Sequence, residues 1–274
     1  MADLSFEFFP PRTAAGAKPL LRTAKALLEG RSAWCSVTYG AGGSTRDGTF
    51  ETVSALREAG IDVAPHLSWG RDSEADVVRL LGRYTAMGID RIVALRGDRP
   101  SGVGSGWQGH YAEDLVRLIR RRVQLPMEIS VAGYPEVHPD APSAGADLEF
   151  LKRKLDAGAE VCITQYFYNA DAYFDLRDRC QAAGISAPIV AGIMPITNYR
   201  NLVRFSDKCG AEIPRWLRHR LAELDGDDEA LADFGADVVT GLCQRLLEGD
   251  VPGIHFYTLN RAEPTLRVLG NLGL

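Results

Sequence analysis

The chain has 274 residues, 46% of them hydrophobic and 24% charged, enough to bury roughly 70 to 75% of its unfolded surface, which excludes a disordered polypeptide. Its 31 Lys and Arg against 36 Asp and Glu leave a net charge of -5, so composition offers no footprint for nucleic acid or an anionic membrane, and an anionic ligand has to be held by local charge. Cys35, Cys162, Cys180, Cys209 and Cys243 are scattered, with no C-x-x-C and no metal-ligand spacing; they read as buried free thiols, and no metal is expected. The start, MADLSFEFFPP, lacks the basic residues and long apolar core of a signal peptide, and no apolar run reaches the roughly 18 residues of a membrane span, so the cytoplasm is the expected compartment.

Short β-rich runs alternate with amphipathic stretches along the chain, the pattern of a parallel sheet with helices outside. In chain order the predicted strands are Leu4 to Phe8, Ala33 to Tyr39, Asp62 to Leu67, Arg91 to Leu95, Glu128 to Ala132, Val161 to Gln165, Ile189 to Ile193 and Gly253 to Thr258. Between the fourth and fifth, Ala112, Leu115, Val116, Leu118 and Ile119 recur at the spacing of one helix face. The segment Ala211 to Asp233, with Pro214, Trp216 and the acidic residues Asp225, Asp227, Asp228 and Glu229, reads as an insertion before the last helix and strand, its acidic run a solvated turn. Eight βα units predict an α/β fold, a single (β/α)8 TIM-type barrel forming one domain over residues 1–274, rather than an open doubly wound sheet.

In such barrels ligands meet the carboxyl ends of the strands, and polar residues gather there: Glu7, Thr38, His66, Arg96-Gly97-Asp98, Tyr134, Glu136, His138, Gln165, Asn260 and Arg261. Alternation turns Phe6 and Phe8 toward the helices and Ser5, Glu7 and Phe9 into the barrel. Burial of a carboxyl favours its neutral acid, the condition for a general acid, although a salt bridge across the barrel mouth is the structural alternative. His66 reads as a ligand contact or a hydrogen-bonded core histidine. Lys152, Arg153 and Lys154 either neutralise a ligand's phosphates or form a solvated helix face. Gly40-Ala41-Gly42-Gly43 is no dinucleotide fingerprint, because Thr45 stands where the third glycine belongs, and no G-K-[ST] occurs.

Eight motifs carry a resemblance. Ser5 to Arg12 reads S-F-E-F-F-P-P-R, Ser36 to Gly40 S-V-T-Y-G, Ala94 to Asp98 A-L-R-G-D and Tyr134 to Pro139 Y-P-E-V-H-P. Leu151 to Lys154 reads L-K-R-K, Asp156 to Ala159 D-A-G-A, Ile163 to Gln165 I-T-Q and Phe256 to Glu263 F-Y-T-L-N-R-A-E. In this order, across essentially the whole chain, they resemble the methylenetetrahydrofolate reductase family. The resemblance implies the (β/α)8 fold, FAD as cofactor, and a ping-pong reaction in which NADH or NADPH and then 5,10-methylenetetrahydrofolate use one face of the flavin, giving 5-methyltetrahydrofolate for methionine synthesis. It implies that Glu7 is the general acid that assists opening of the folate ring and that Asp98 steadies the resulting cation. FAD contacts fall on Thr38, His66, Arg96, Gly97, Asp98, Tyr111, Ala112, Tyr134, His138, Asp147, Arg153 and Lys154, the last two at the pyrophosphate. Substrate contacts fall on Asp98, Gln165, Phe205 and Arg261. The length resembles the short catalytic form without a regulatory C-terminal domain, and the family implies a homo-oligomer. Two positions depart from some bacterial members: Phe150 replaces an Asn near the FAD, and Asn201 replaces a Gln.

Overall fold

The computed structural model describes residues 2–39, 46–70, 72–96 and 109–274. Gly97, Asp98 and the stretch Gly40 to Thr45 lie outside the described residues. Eight parallel strands close into a barrel in sequence order: β1 Asp3–Phe8, β2 Ala33–Val37, β3 Val63–Ser68, β4 Arg91–Leu95, β5 Glu128–Gly133, β6 Val161–Thr164, β7 Ile189–Ile193 and β8 Gly253–Tyr257. The helices of the described residues are α1 Ala17–Leu28, α2 Arg46–Glu58, α3 Glu74–Ala86, α4 Ala112–Arg122, α5 Ala144–Asp156, α6 Ala170–Ala182, α7 Tyr199–Cys209, α8 Arg215–Glu223, α9 Asp228–Glu248 and α10 Glu263–Leu272. None is long and apolar enough to cross a membrane. The (β/α)8 architecture expected from the alternation is the one observed.

Strands β2, β6 and β8 stop one or two residues before their predicted ends, because at the rim each keeps a single ladder bond after regular pairing is lost. Thr38 N–H donates to Phe8 O at 2.9 Å, Gln165 N–H to Gly133 O at 2.8 Å and Thr258 N–H to Glu7 O at 3.3 Å.

Side-chain parity divides the core into two layers. Leu4, Phe6 and Phe8 of β1, Ile92 and Ala94 of β4, Ile189, Ala191 and Ile193 of β7, and Ile254 and Phe256 of β8 pack outward under the helices, with Phe6 stacked on Phe256 at a 6.0 Å centroid distance. Fully burying each such large side chain contributes about 1.5–3 kcal/mol. Inside the barrel, Ala64, Val93 and Ile163 cluster with Trp34, Leu95, Val161 and Val190. Polar residues share the interior: Ser5 and Glu7 of β1, Ser36 of β2, His66 of β3, Ser130 of β5 and His255 of β8 are buried there. The helix face predicted between β4 and β5 is the buried stripe of α4, all five residues included.

The region around the insertion differs from expectation in one respect. Asp227 caps α9 by accepting from Ala230 N–H at 3.0 Å, and Asp228 and Glu229 occupy its first turn, where the positive end of the helix dipole favours them. The acidic run is solvent-exposed as expected, with Asp225 in the turn before α9 and the other three residues forming the start of that helix. The thiols are all free, and burial pushes Cys162 and Cys243 up to about 12 and Cys180 up to about 11. Cys209 departs from the buried expectation: it ends α7 at the wall of the cavity described next, half-buried, with Sγ 3.4 Å from the Tyr166 hydroxyl.

Candidate active site

A cavity of about 1310 Å³ opens at the carboxyl ends of the strands, and Glu7, Arg96, Tyr134, His138, Gln165, Phe205 and Arg261 all line it. Glu7 lies at its floor, 8% exposed, in register with Ser36 of β2 and Tyr257 of β8. One carboxyl oxygen, Oε2, is 3.4 Å from His66 Nε2 and 3.6 Å from His255 Nε2. His66 Nε2 is also 3.2 Å from Ser36 Oγ, and His255 Nδ1 is 2.7 Å from Ser5 Oγ. Burial holds His66 below its ordinary pKa and outweighs the opposing pull of Glu7, so this imidazole is neutral near pH 7. Among the described residues no Lys or Arg pairs with Glu7, and the barrel-mouth salt bridge is absent. His66 is a hydrogen-bonded interior histidine that stands beside the floor carboxyl.

The ends of β1 and β8 are clasped together. Asn260, at φ 60°, accepts from Phe9 N–H at 2.8 Å and donates through Nδ2 to Phe9 O at 2.9 Å, and the Thr258 hydroxyl donates to Glu7 O at 2.6 Å. This bracket fixes the backbone that carries Glu7.

On one wall Tyr134 meets His138 edge-on at 4.5 Å. His138 Nδ1 accepts from Asp140 N–H at 2.9 Å, and the His138 backbone N–H donates to Asp147 at 3.0 Å; the first bond assigns the ring proton to Nε2. Burial, then Arg96, holds His138 below its ordinary pKa. Arg96 pairs with Asp140 at 2.9 Å. The expected cationic pair is divided, since consecutive helix positions point about 100° apart. Lys154 is half-buried and donates inward to Ala132 O, its pKa lowered by burial, and with Asp147 it lines a small pocket behind Tyr134. Arg153 turns outward to Glu113 at 3.1 Å and lies 4.8 Å over the Phe150 ring. Tyr111, 49% exposed, caps α4 ahead of buried Ala112, and neither lines the cavity. The Thr38 hydroxyl is buried without a partner among the described residues.

The opposite wall is α7, with Asn201, Arg204, Phe205 and Lys208 facing the cavity. Gln165 Oε1 accepts from Tyr166 N–H at 3.0 Å, and exposed Arg261 stands at the rim. Sequence reasoning missed His255 and Tyr257 on the floor and Arg12, Arg204 and Lys208 at the rim. Strand parity on β8 contained the signal for the first two, because outward Ile254 and Phe256 force their neighbours inward.

The family model for methylenetetrahydrofolate reductase matches residues 2–273. The chain belongs to this family. The 5,10-methylenetetrahydrofolate reductases of Salmonella typhimurium and Escherichia coli are each 42% identical to it over 274 residues, covering 99% of this chain and 91% of theirs. Methylenetetrahydrofolate reductase (NADH) 1 of Arabidopsis thaliana is 37% identical over 284 residues, 98% of this chain and 48% of that protein. An uncharacterised Clostridium thermocellum protein, solved with two copies of 5-methyl-5,6,7,8-tetrahydrofolic acid, has a TM-score of 0.71 at 18% identity and covers 100% of this chain and 96% of its own; at that identity the likeness is of fold alone. In this methylenetetrahydrofolate reductase family member the backbone of S-F-E-F-F and the Asn and Thr of Y-T-L-N-R are thus joined by direct hydrogen bonds across the β1–β8 seam.

Proposed function

We propose that the chain reduces 5,10-methylenetetrahydrofolate to 5-methyltetrahydrofolate with FAD and NADH or NADPH, the nicotinamide and the folate taking turns in one cavity. As a cytoplasmic homo-oligomer it supplies methyl groups for methionine synthesis. The observation that carries this reading is Glu7, a carboxyl on the floor of a large cavity with polar neighbours, in a chain of this family. A cavity of about 1310 Å³ exceeds the roughly 300–1,000 Å³ of a drug-sized pocket, which supports room for a flavin beside a second ligand.

The residues present suit FAD. The orphaned Thr38 hydroxyl is a donor in want of an acceptor, and the His138 Nε2–H, Arg96 and Lys154 form a donor set matched to phosphate and ribose oxygens. Arg153, Tyr111 and Ala112 would serve the outer, adenosine end. When bound, FAD relays a hydride from nicotinamide to folate. Glu7 holds the proton that the folate ring nitrogen needs, since an amine leaves poorly unless protonated. Asp98 is proposed as the carboxylate that steadies the cation so formed. Gln165 orients the pterin, Phe205 stacks on nicotinamide or on the aminobenzoyl ring, and Arg261 pairs with the glutamate carboxylate.

The test is the visible spectrum under anaerobic conditions. A flavin band that bleaches with NADH and returns with methylenetetrahydrofolate is the expected result; a colourless protein that takes up no FAD overturns the flavin reading. Glu7→Gln should slow the return by at least about 100-fold while its NADH oxidation persists.

A further inference from the structure

The two walls of the cavity are fastened to each other at a point behind it. Glu136, on the connection between β5 and α5, stands outside the cavity lining. It reaches the connection between α7 and α8 and accepts from Glu212 N–H at 2.7 Å, across 76 positions of sequence. Ala211 and Ile213, on either side of Glu212, are buried, so the amide that Glu136 engages belongs to a firmly seated segment. A second contact lies beside the first. Gly210 caps α7 at φ 76°, and a Cβ there would stand 2.6 Å from Pro139 Cγ, so the two connections approach closely where a side chain is missing.

Between these contacts Val137 sits at φ 71°. A β-branched residue in the left-handed region is a steric outlier, and such a conformation persists only where its surroundings hold it. Here both neighbours are held. Glu136 is tied through its side chain to Glu212, and His138 through its backbone N–H to Asp147 at 3.0 Å and its backbone O to Ala141 N–H at 2.8 Å. A half-buried carboxyl whose Oε1 has no partner among the described residues carries a desolvation cost that an aliphatic filler would avoid.

We propose that Glu136 is a positioning residue for the cavity: by tying the β5–α5 connection to the end of α7 it keeps Val137 in its strained conformation, and so sets where His138 stands on one wall relative to Phe205 on the other. The proposal rests on the reductase reading, in which His138 meets the cofactor and Phe205 a substrate ring, and adds to it the residue that fixes their spacing. Without the tie Val137 relaxes toward extended backbone, the peptide leading into His138 turns with it, and α7 loses an anchor at its C-terminal end. Glu7 on β1 keeps its own surroundings, so binding weakens more than chemistry slows.

Two readouts test it. The first needs no cofactor: amide hydrogen exchange of the 15N-labelled full chain, read residue by residue by NMR. In Glu136→Ala the Glu212 and His138 amides should both exchange at least about tenfold faster than in the wild type. Glu136→Gln, whose amide oxygen still accepts from Glu212 N–H, should keep the wild-type rates. Glu136→Ala combined with Val137→Gly, which adopts φ 71° without strain, should recover protection at His138 while Glu212 stays fast. The second readout separates binding from rate. In Glu136→Ala the FAD dissociation constant, from fluorescence quenching, and the KM for methylenetetrahydrofolate should each rise at least about tenfold, while the saturated rate falls by less than about threefold. Glu136→Gln should restore both constants, and the double variant should restore FAD affinity but not the folate KM, because α7 remains unanchored. If Glu136→Ala folds poorly, Glu136→Asp, whose carboxyl stops one methylene short of the Glu212 amide, takes its place with the same expected outcomes. Wild-type exchange at His138 in Glu136→Ala, an equal loss in Glu136→Gln, or a fall in the saturated rate with KM unchanged overturns the proposal. Failure of the reductase reading looks different: the wild-type protein then takes up no FAD and turns over no folate, and the exchange rates alone decide whether Glu136 holds the connection.

Discussion

The β1–β8 clasp makes Asn260 the most informative single substitution. Asn260→Ala removes two hydrogen bonds to Phe9, of 2.8 and 2.9 Å, each contributing about 0.5–1.5 kcal/mol net. It also places an Ala at φ 60°, where an ordinary L-residue costs roughly 1 kcal/mol more than Asn or Gly. The sum is about 2–4 kcal/mol. Asn260→Gly separates the two contributions, since it loses the bonds but keeps the backbone freedom, and it should be about 1 kcal/mol more stable than the Ala variant. The assay is chemical denaturation at one fixed protein concentration, with the folate half-reaction measured on the same samples. Because the clasped backbone carries Glu7, both variants should also lose folate turnover disproportionately to NADH oxidation. If Asn260→Ala unfolds within about 0.5 kcal/mol of the wild type, a typical scatter for surface changes, the side chain is not what joins the two strand ends and the reasoning fails.

Three further outcomes are expected. Thr38→Val removes a hydroxyl that has no partner among the described residues, so the apoprotein should be as stable or up to about 1 kcal/mol more stable, while FAD, followed by fluorescence quenching, should bind about three- to tenfold more weakly; unchanged FAD affinity would remove Thr38 from the proposed cofactor set. Glu136 accepts from Glu212 N–H at 2.7 Å with its other oxygen buried and without a partner among the described residues, and burial pushes it up from 4.5 to about 7. A carboxyl whose folded pKa lies above its unfolded one favours the protonated fold, so its contribution to stability is present below about pH 4.5 and is lost as pH rises toward 7; Glu136→Gln should flatten the decline of Tm over that window, and parallel pH profiles for the two proteins would contradict the assignment. At Gly192 a Cβ would come within 2.0 Å of Thr164 O and 2.8 Å of the Tyr257 ring. Because the first obstacle is backbone, Gly192→Ala should cost more than about 3 kcal/mol or abolish soluble expression, and a wild-type unfolding midpoint would refute the packing.

The barrel was legible because local period and global architecture agree: alternation along β1 placed Phe6 and Phe8 outward and Glu7 inward, and the structure does the same. The stripe on α4 was equally clear. What stayed hidden depends on which strands become neighbours. Nothing near Glu7 in sequence announces His255, because their approach requires β8 to close against β1. The division of Arg153 from Lys154 was hidden for a different reason: adjacent cations look like one patch in a string of letters, yet one meets Glu113 on α4 and the other a β5 carbonyl. Cys209 looked like its four buried counterparts until α7 placed it beside the cavity.

The seam also bears on how the molecule folds. Seven of the eight strand pairings join consecutive strands, and loop closure of that kind is cheap and fast. The eighth, β1 to β8, links partners such as Ser5 and His255, 250 positions apart, and Phe9 and Asn260, 251 apart. Around Glu7, Ser36 and His66 come with consecutive pairings, whereas His255 and Tyr257 arrive only with that one long-range closure. An open, partly folded chain can hold seven correct pairings and still lack the β8 side of the cavity floor.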